Sequence, residues 1–131
     1  MINSRVWIRG AGDLATGIAL RLFRSGFDVI MSDIAVPTTV RRTVAFSPAI
    51  YLGETEVEGV RARLCKDIKM IDEIKDVIPV IVDPDGDIMR EYAPDVIVDA
   101  IIAKKNLGTR ISDAKIVIGV GPGFVAGKDC H

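Results

Sequence analysis

The stretch that decides the fold is residues 5–15, Arg-Val-Trp-Ile-Arg-Gly-Ala-Gly-Asp-Leu-Ala. Its first five residues are predicted to form a strand, which Gly10 ends. A helix is predicted over residues 13–25, because apolar residues recur there at a helical period and form one stripe. Gly26 follows the helix at the position where a left-handed C-terminal cap is expected.

A second strand is predicted directly after this helix. It covers residues 27–31 and closes at Ser32 and Asp33. Because a helix connects the two strands, we expect them to be parallel.

The turn between the first strand and the helix carries a G-x-G-x-x-A fingerprint. Its residues are Gly10, Ala11, Gly12, Asp13, Leu14 and Ala15. In such a turn the first glycine permits a tight bend, the second lets the backbone approach a phosphate, and the small residue allows the helix to pack on the strand. The amides and the dipole of the helix N-terminus also favour an anion. The turn is therefore predicted to bind NAD or another nucleotide-type ligand.

Two acidic residues bear on this prediction. Asp33 ends the second strand, where an acid accepts hydrogen bonds from a ribose diol and favours NAD over NADP. Asp33 is equally compatible with a polar strand end. Asp13 adds negative charge beside the expected phosphate and also stabilises a helix N-terminus by itself. A purely structural turn therefore stays open as an alternative.

Further candidate ligand-binding residues follow three other predicted strands or loops. They are Arg41, Arg42, Lys104, Asn106, Gly121 and Gly123. Arginine forks suit phosphate and carboxylate groups, a lysine neutralises an anion, an asparagine orients it, and a second glycine turn lines the same crevice. Each of these residues is also compatible with an ordinary solvated loop.

The rest of the chain completes the fold prediction. Residues 77–82, 96–102 and 116–120 are uniformly apolar, which is typical of strands covered on both faces of a parallel sheet. Between the second strand and these runs we predict a strand-like segment at 43–46, a loop at 47–56, a half-exposed strand at 60–64 and a helix at 67–76, with a hairpin-like excursion within 43–65. The predicted fold is α/β: a Rossmann-like, doubly wound, mostly parallel sheet with helices on both faces, in one domain over residues 1–131.

Composition excludes several classes of protein. The 131 residues include 17 basic and 18 acidic residues, a net charge of −1, which removes the electrostatic case for nucleic-acid binding. No apolar stretch reaches the roughly 20 residues of a membrane-spanning helix, and the N-terminus does not resemble a secretion signal. Two cysteines cannot form a disulfide framework, so we expect a cytoplasmic protein. His131 is the single histidine, which excludes an internal histidine base, and no metal site is predicted.

The apolar content also predicts an interface. A mean hydropathy of +0.31 is high for a chain of this size, and part of that apolar surface must remain outside the core. We therefore expect a homo-oligomer, or association with a further part of a longer protein.

Four strings in order resemble the accessory family of selenium-dependent molybdenum hydroxylases, the YqeB type. They are Gly-Ala-Gly-Asp-Leu-Ala-Thr-Gly at 10–17, Arg-Arg-Thr-Val-Ala-Phe-Ser at 41–47, Asp-Ala-Ile-Ile-Ala-Lys-Lys-Asn at 99–106 and Gly-Pro-Gly-Phe-Val-Ala-Gly-Lys-Asp-Cys-His at 121–131. The resemblance implies a Rossmann-like domain and a role in maturing molybdenum hydroxylases. It makes the molybdenum cofactor a possible ligand and a molybdenum hydroxylase a possible partner. Members of this family are longer, so the chain is expected to correspond to the N-terminal half of such a protein.

Two other functions stay open. An NAD-dependent oxidoreductase needs a proton donor or acceptor near the nicotinamide, for which the sequence offers Lys104, Asp99 or Tyr51. A non-catalytic interaction domain needs no ligand, and its glycine turn is then purely structural. Whether the chain is an enzyme is not decided by its sequence.

Overall fold

The computed structural model describes residues 5–33, 45–46, 49–73, 76–101, 108–120 and 124–131. Over these residues the strands are β1 Arg5–Arg9, β2 Asp28–Asp33, β3 Glu54–Val57, β4 Val60–Leu64, β5 Val77–Val82, β6 Val96–Asp99 and β7 Ile116–Gly119. The α-helices are α1 Asp13–Arg24, α2 Ala49–Leu52 and α3 Asp87–Tyr92, and two 3-10 helices cover Ile68–Glu73 and Ile111–Asp113. In this part of the chain no helix has the length and apolar character needed to cross a membrane.

All the strands belong to one mixed sheet in the order β3-β4-β5-β2-β1-β6-β7. Every neighbouring pair is parallel except β3 and β4, which form an antiparallel hairpin at one edge. The α/β class, the mostly parallel sheet, the parallel first unit and the hairpin within residues 43–65 are therefore confirmed.

The central strand β1 sends alternate side chains to the two faces of the sheet, as a strand must. Val6 and Ile8 join one buried cluster, together with Ala15 and Ala19 of α1. Trp7 joins a second buried cluster, together with Met89 of α3. Buried residues of α2 belong to the first cluster and those of the 3-10 helix Ile68–Glu73 to the second.

Trp7 is the fully buried centre of the second cluster. Its indole nitrogen Nε1 donates a hydrogen bond of 2.9 Å to Ser32 Oγ on the neighbouring strand. The Trp7 ring lies 5.7 Å from the Tyr92 ring, centroid to centroid, in a tilted arrangement. A buried indole N–H normally requires such a polar partner, and Ser32 supplies it within the sheet.

Helix α1 begins and ends close to where its sequence predicts. Gly12 is its N-cap and Ser25 its C-cap, so the predicted range of 13–25 is one residue too long. Gly26 follows with φ +93°, the left-handed conformation expected for a glycine that stops a helix. Two basic residues in the last turn, Arg21 and Arg24, complement the negative end of the helix dipole.

Three predicted segments are wrong in the described residues. Ala45 and Phe46, the described part of the predicted strand at 43–46, are not in a strand. The Phe46 amide instead donates to the hydroxyl of Thr16 on α1 over 2.9 Å, and the Phe46 side chain is fully buried. The predicted loop at 47–56 contains helix α2 and most of strand β3, which are each four residues long and too short to show a period.

The predicted helix at 67–76 is a 3-10 helix at Ile68–Glu73. Its two isoleucines, Ile68 and Ile71, are three positions apart in the sequence. That spacing matches the three residues per turn of a 3-10 helix better than the 3.6 of an α-helix.

Strand β7 is a partial exception to the prediction that the apolar runs are covered on both faces. Val117 is buried, but Ile116 and Ile118 on the opposite face are 48% and 45% exposed. The apolar pattern alone could not reveal that two side chains on one face of this edge strand are about half exposed.

Gly10 is the position where the backbone most requires a glycine. Its φ is +112°, and a Cβ atom there would lie 2.8 Å from the carbonyl oxygen of Ala100, the residue that follows β6. Gly17, in the exposed middle of α1, has no atom of the described residues within 4 Å of its corresponding position. The two glycines therefore respond to substitution in opposite directions.

We predict that Gly10→Ala lowers the free energy of unfolding by about 3 kcal/mol, because it adds both a strained φ and a clash with backbone. We expect Gly17→Ala to raise it by about 0.5–1 kcal/mol, since alanine is the better helix former. Urea unfolding of the two variants beside the wild type measures both changes. A Gly10→Ala variant as stable as wild type would contradict the close approach of the two backbones.

Candidate functional site

The predicted glycine turn lies at the carboxyl end of β1 and is fixed to the end of β2. The Gly10 amide donates to the Ser32 carbonyl over 2.6 Å. The next amide, that of Ala11, donates to Asp33 Oδ2 over 3.0 Å. Thus Gly10, Ala11 and Asp33, which the sequence placed in one site, are in contact.

Helix α1 begins directly after this anchored turn. Gly12 carries no side chain to cap the helix, and within the described part of the chain no atom lies within 4 Å of the position of its missing Cβ. The first backbone bond of the helix runs from the Thr16 amide to the Gly12 carbonyl over 2.9 Å. The amides of the first turn, residues 13–15, therefore precede the intrahelical ladder, as at any helix N-terminus. Ala15 is buried against the sheet, as predicted, and Leu14 is half-exposed.

Asp33 has a role that the sequence did not reveal. Its carboxylate accepts a hydrogen bond from the Ala11 amide and thereby satisfies this donor of the glycine turn. An anion at this site would thus meet the amides from Gly12 onward and not that of Ala11. A carboxylate offers about four lone-pair positions, so the Ala11 bond is compatible with Asp33 also accepting a ribose hydroxyl.

The turn lies where the strand order reverses. From β1 the chain goes to β2 on one side, and later returns from β5 to β6 on the other side of β1. In open α/β sheets ligands bind at the carboxyl ends of the strands at such a switch point. The contact of Gly10 with Ala100 and Ile101 marks this point in the backbone.

A buried ionic cluster lies at the same switch point on the opposite face of the sheet. Arg9 and Asp99 are register partners in β1 and β6, and both are almost fully buried. Arg9 Nη1 donates to Thr109 Oγ1 over 2.7 Å, and the Thr109 hydroxyl donates to Asp99 Oδ2 over 2.5 Å. The direct distance between Arg9 Nη1 and Asp99 Oδ2 is 3.9 Å, so the threonine hydroxyl bridges the two charges.

This cluster also fixes the backbone of the residues that follow β6. Asp99 Oδ1 accepts the amide of Ile101 over 3.2 Å, and Arg9 Nη2 donates to the carbonyl of Pro84 after β5 over 3.2 Å. The pair therefore holds the ends of three strands together beneath the glycine turn. Sequence reasoning missed Arg9; the available signal was a charged residue directly after the three apolar residues of the strand, Val6–Ile8.

Several predicted site residues cannot be assigned to this arrangement. Arg41, Arg42, Lys104, Asn106, Gly121 and Gly123 lie outside the described residues, as does the side chain of Asp13. Of the three proton-transfer candidates for an oxidoreductase, Asp99 is 2% exposed and fully engaged in the ionic cluster. Lys104 and the side chain of Tyr51 lie outside the description.

The cysteines and His131 take structural positions. Cys65 is buried, and its thiol donates to the carbonyl of Asp67 over 3.1 Å. Burial raises the pKa of the Cys65 thiol, and the Asp67 carboxylate adds to the increase. His131 Nδ1 accepts the amide of Val117 over 2.9 Å. Among the residues described, no three His, Cys, Asp or Glu side chains gather in a way that could hold a metal ion.

A cavity of about 450 Å³ lies at the end of the strands opposite the glycine turn, at the amino ends of β1, β2 and β5. Its polar lining residues are Arg5, Asp28, Asp76 and Tyr92, and Arg5 lies 5.2 Å from the centre of the Tyr92 ring. It is therefore separated from the glycine turn by the length of the strands.

The chain is similar to a protein of Escherichia coli (strain K12) described as uncharacterized protein YqeB. The two are 52% identical over 128 residues, which is 96% of this chain and 24% of the E. coli protein. This similarity supports the resemblance of the chain to proteins of the YqeB type. The chain spans about a quarter of the relative's length, where about half was expected. No family model and no solved structure matches the chain.

We predict that Asp99→Asn lowers the free energy of unfolding by about 3–5 kcal/mol, because it leaves the Arg9 charge buried without its counter-charge. The matched control is Glu54→Gln, whose ion pairs with Arg61 and Arg63 at 3.6 Å are about half exposed. Its loss should cost under about 1 kcal/mol. Urea unfolding that gives equal losses for the two variants would contradict a structural role for the buried pair.

We predict that Cys65 reacts slowly with thiol reagents in the folded protein, because the site is buried and its raised pKa lowers the thiolate fraction. In a Cys130→Ser variant, labelling at pH 8 should be at least about tenfold slower than in the urea-unfolded chain. The folded thiol keeps its proton to higher pH than the unfolded thiol. The Cys65 contribution to stability should therefore decline as pH rises above the unfolded pKa of about 8.5. Equal labelling rates in the two states would contradict the burial.

Proposed function

We propose that this chain is the nucleotide-binding domain of an accessory protein that helps to mature selenium-dependent molybdenum hydroxylases. The glycine turn at the carboxyl end of β1, placed where the strand order reverses, is the observation that carries the binding part of this proposal. The resemblance of the four strings to the YqeB type carries the accessory part. On this proposal residues 1–131 form one domain of a longer cytoplasmic protein.

The topology supports a Rossmann-like, doubly wound fold. Without the edge hairpin, the strand order β5-β2-β1-β6-β7 corresponds to the order 3-2-1-4-5 of dinucleotide-binding sheets. The buried residues of α1 and α2, which precede β3 in the chain, belong to the first cluster, and those of the 3-10 helix Ile68–Glu73 and of α3, which flank β5, belong to the second. Helical residues in both clusters are typical of a doubly wound sheet.

The N-terminus of α1 supports binding of a phosphate group, because its N-cap residue is a glycine. Gly12 has no side chain that could bond to the first-turn amides, and no atom of the described residues lies within 4 Å of the position of its missing Cβ. The α1 dipole adds partial positive charge at the same place. Both a nucleotide and the molybdenum cofactor carry phosphate, so either kind of ligand suits this position.

Asp33 supports a ribose-bearing ligand without a 2′-phosphate. Its carboxylate is held at the end of β2 by the Ala11 amide, beside the turn that would receive the phosphates. In dinucleotide-binding folds an acid at this place accepts the ribose hydroxyls and repels the 2′-phosphate of NADP. NAD is therefore the preferred dinucleotide of this proposal.

The test is a thermal-unfolding titration of the protein with NAD, NADP, ATP, S-adenosylmethionine and the molybdenum cofactor. A true ligand present at 100 times its Kd should stabilise the protein by about 2.7 kcal/mol. We expect stabilisation by NAD or another nucleotide, and weaker stabilisation by NADP than by NAD. Absence of stabilisation by every compound would overturn the binding proposal.

Two variants separate a binding turn from a structural one. Gly12→Val should keep the fold, because φ is −72° and none of the described residues has an atom within 4 Å of the new Cβ. It should nevertheless abolish the ligand-induced shift by blocking the approach of a phosphate. Gly17→Ala, five residues further along the chain in α1, is the matched control and should bind as wild type does. Ligand binding that survives Gly12→Val would favour a purely structural turn.

The alternative function, an NAD-dependent oxidoreductase, predicts a different experimental result. It requires turnover of NADH with a carbonyl substrate in addition to binding. Asp99, one of its three proton-transfer candidates, is buried and bonded to Thr109 and Ile101. We therefore expect binding of the dinucleotide without turnover across a panel of carbonyl compounds.

A further inference from the structure

One part of the sheet carries exposed aliphatic side chains in a regular array. In β7, Val117 is buried, whereas Ile116 and Ile118 on the other face are 48% and 45% exposed. Their register partners in β6 are Val96, which is half-buried, and Val98, which is buried. We call Val96, Ile116 and Ile118 the β6–β7 face.

The described α-helices on this side of the sheet make their main contacts with other strands. Helix α1 packs against β1 and β2, and α2 packs against β3, β4 and β5. Parallel sheets normally have both faces covered, and in the described part of the chain neither α1 nor α2 makes its main contacts on the β6–β7 face.

The outer edge of β7 is already bonded at its centre. The Val117 amide donates to His131 Nδ1 over 2.9 Å, and the His131 amide donates to the Val117 carbonyl over 2.7 Å. Addition of another strand at this position would have to displace His131. These His131 bonds therefore favour an element that packs on the β6–β7 face over a strand that would extend the sheet beyond β7.

We propose that the β6–β7 face docks an amphipathic α-helix from the remainder of the longer protein that YqeB exemplifies. Two neighbouring strands are about 4.8 Å apart, and a helix with its side chains is about 10 Å wide, so one helix covers both strands. The relative has about three quarters of its length outside the matched region, which is ample chain to supply it. A helix tethered in the same polypeptide reaches effective concentrations in the millimolar range, which favours it over a second copy of this chain.

The test compares thiol accessibility in two proteins. One is the 131-residue chain, and the other is a chimera in which this chain replaces the matching quarter of E. coli YqeB. Each is made with Ile118→Cys and, as the matched control, with Leu52→Cys, because Leu52 is 74% exposed on α2, away from the β6–β7 face. Maleimide labelling rates at the introduced cysteine are measured by peptide mapping, with circular dichroism as the check of folding.

We expect labelling at position 118 to slow by about tenfold or more in the chimera, while labelling at position 52 stays unchanged. Equal rates at position 118 in the two proteins would overturn the proposal. Protection in the 131-residue chain that rises with concentration, together with a dimeric mass, would also overturn it in favour of a second copy. If the chimera is insoluble, the same labelling is done on the chain co-expressed with the remaining part of YqeB, with the same expected and contrary results.

Discussion

The close approach of two backbone segments, at Gly10 and Ala100, is the constraint on which the rest of the structure depends. β1 is paired with β2 on one side and β6 on the other. The turn that follows β1 must therefore pass between the segments that follow β2 and β6. The Gly10 amide bonds to β2, and the Arg9 carbonyl accepts the amide of Ala100 over 2.9 Å. On the other face of the sheet the Arg9–Thr109–Asp99 cluster fastens the same strand ends. Helix α1 therefore starts from a rigid base, and the position of its N-terminus is fixed by the sheet.

The central elements could be predicted from the sequence because their signals are local. The strand at Arg5–Arg9 is bounded by a glycine that the backbone requires, and α1 combines a clear apolar stripe with Gly26 at its end. The segment between β2 and β5 was harder because its elements are short and are stabilised by distant partners. Phe46, for example, is held by the Thr16 hydroxyl, 30 residues earlier in the chain.

The candidate site was predictable to the same limited extent. The glycine fingerprint and Asp33 follow from spacing, and the structure brings Ala11 and Asp33 within hydrogen-bond distance. That the carboxylate binds the turn itself could not be read from spacing, because it depends on the register of two strands. The Arg9–Asp99 pair depends on strand order as well, since the two residues are 90 positions apart and become neighbours only when β6 returns beside β1.

The position of Trp7 gives the protein a natural optical reporter. It is the single tryptophan of the chain, it lies in the central strand, and its indole is shielded from solvent by the core. Its fluorescence therefore originates from one site whose environment changes only when the middle of the sheet opens. Loosening confined to the edge hairpin should leave the emission spectrum unaltered, whereas separation of β1 from its neighbours should shift it to longer wavelength.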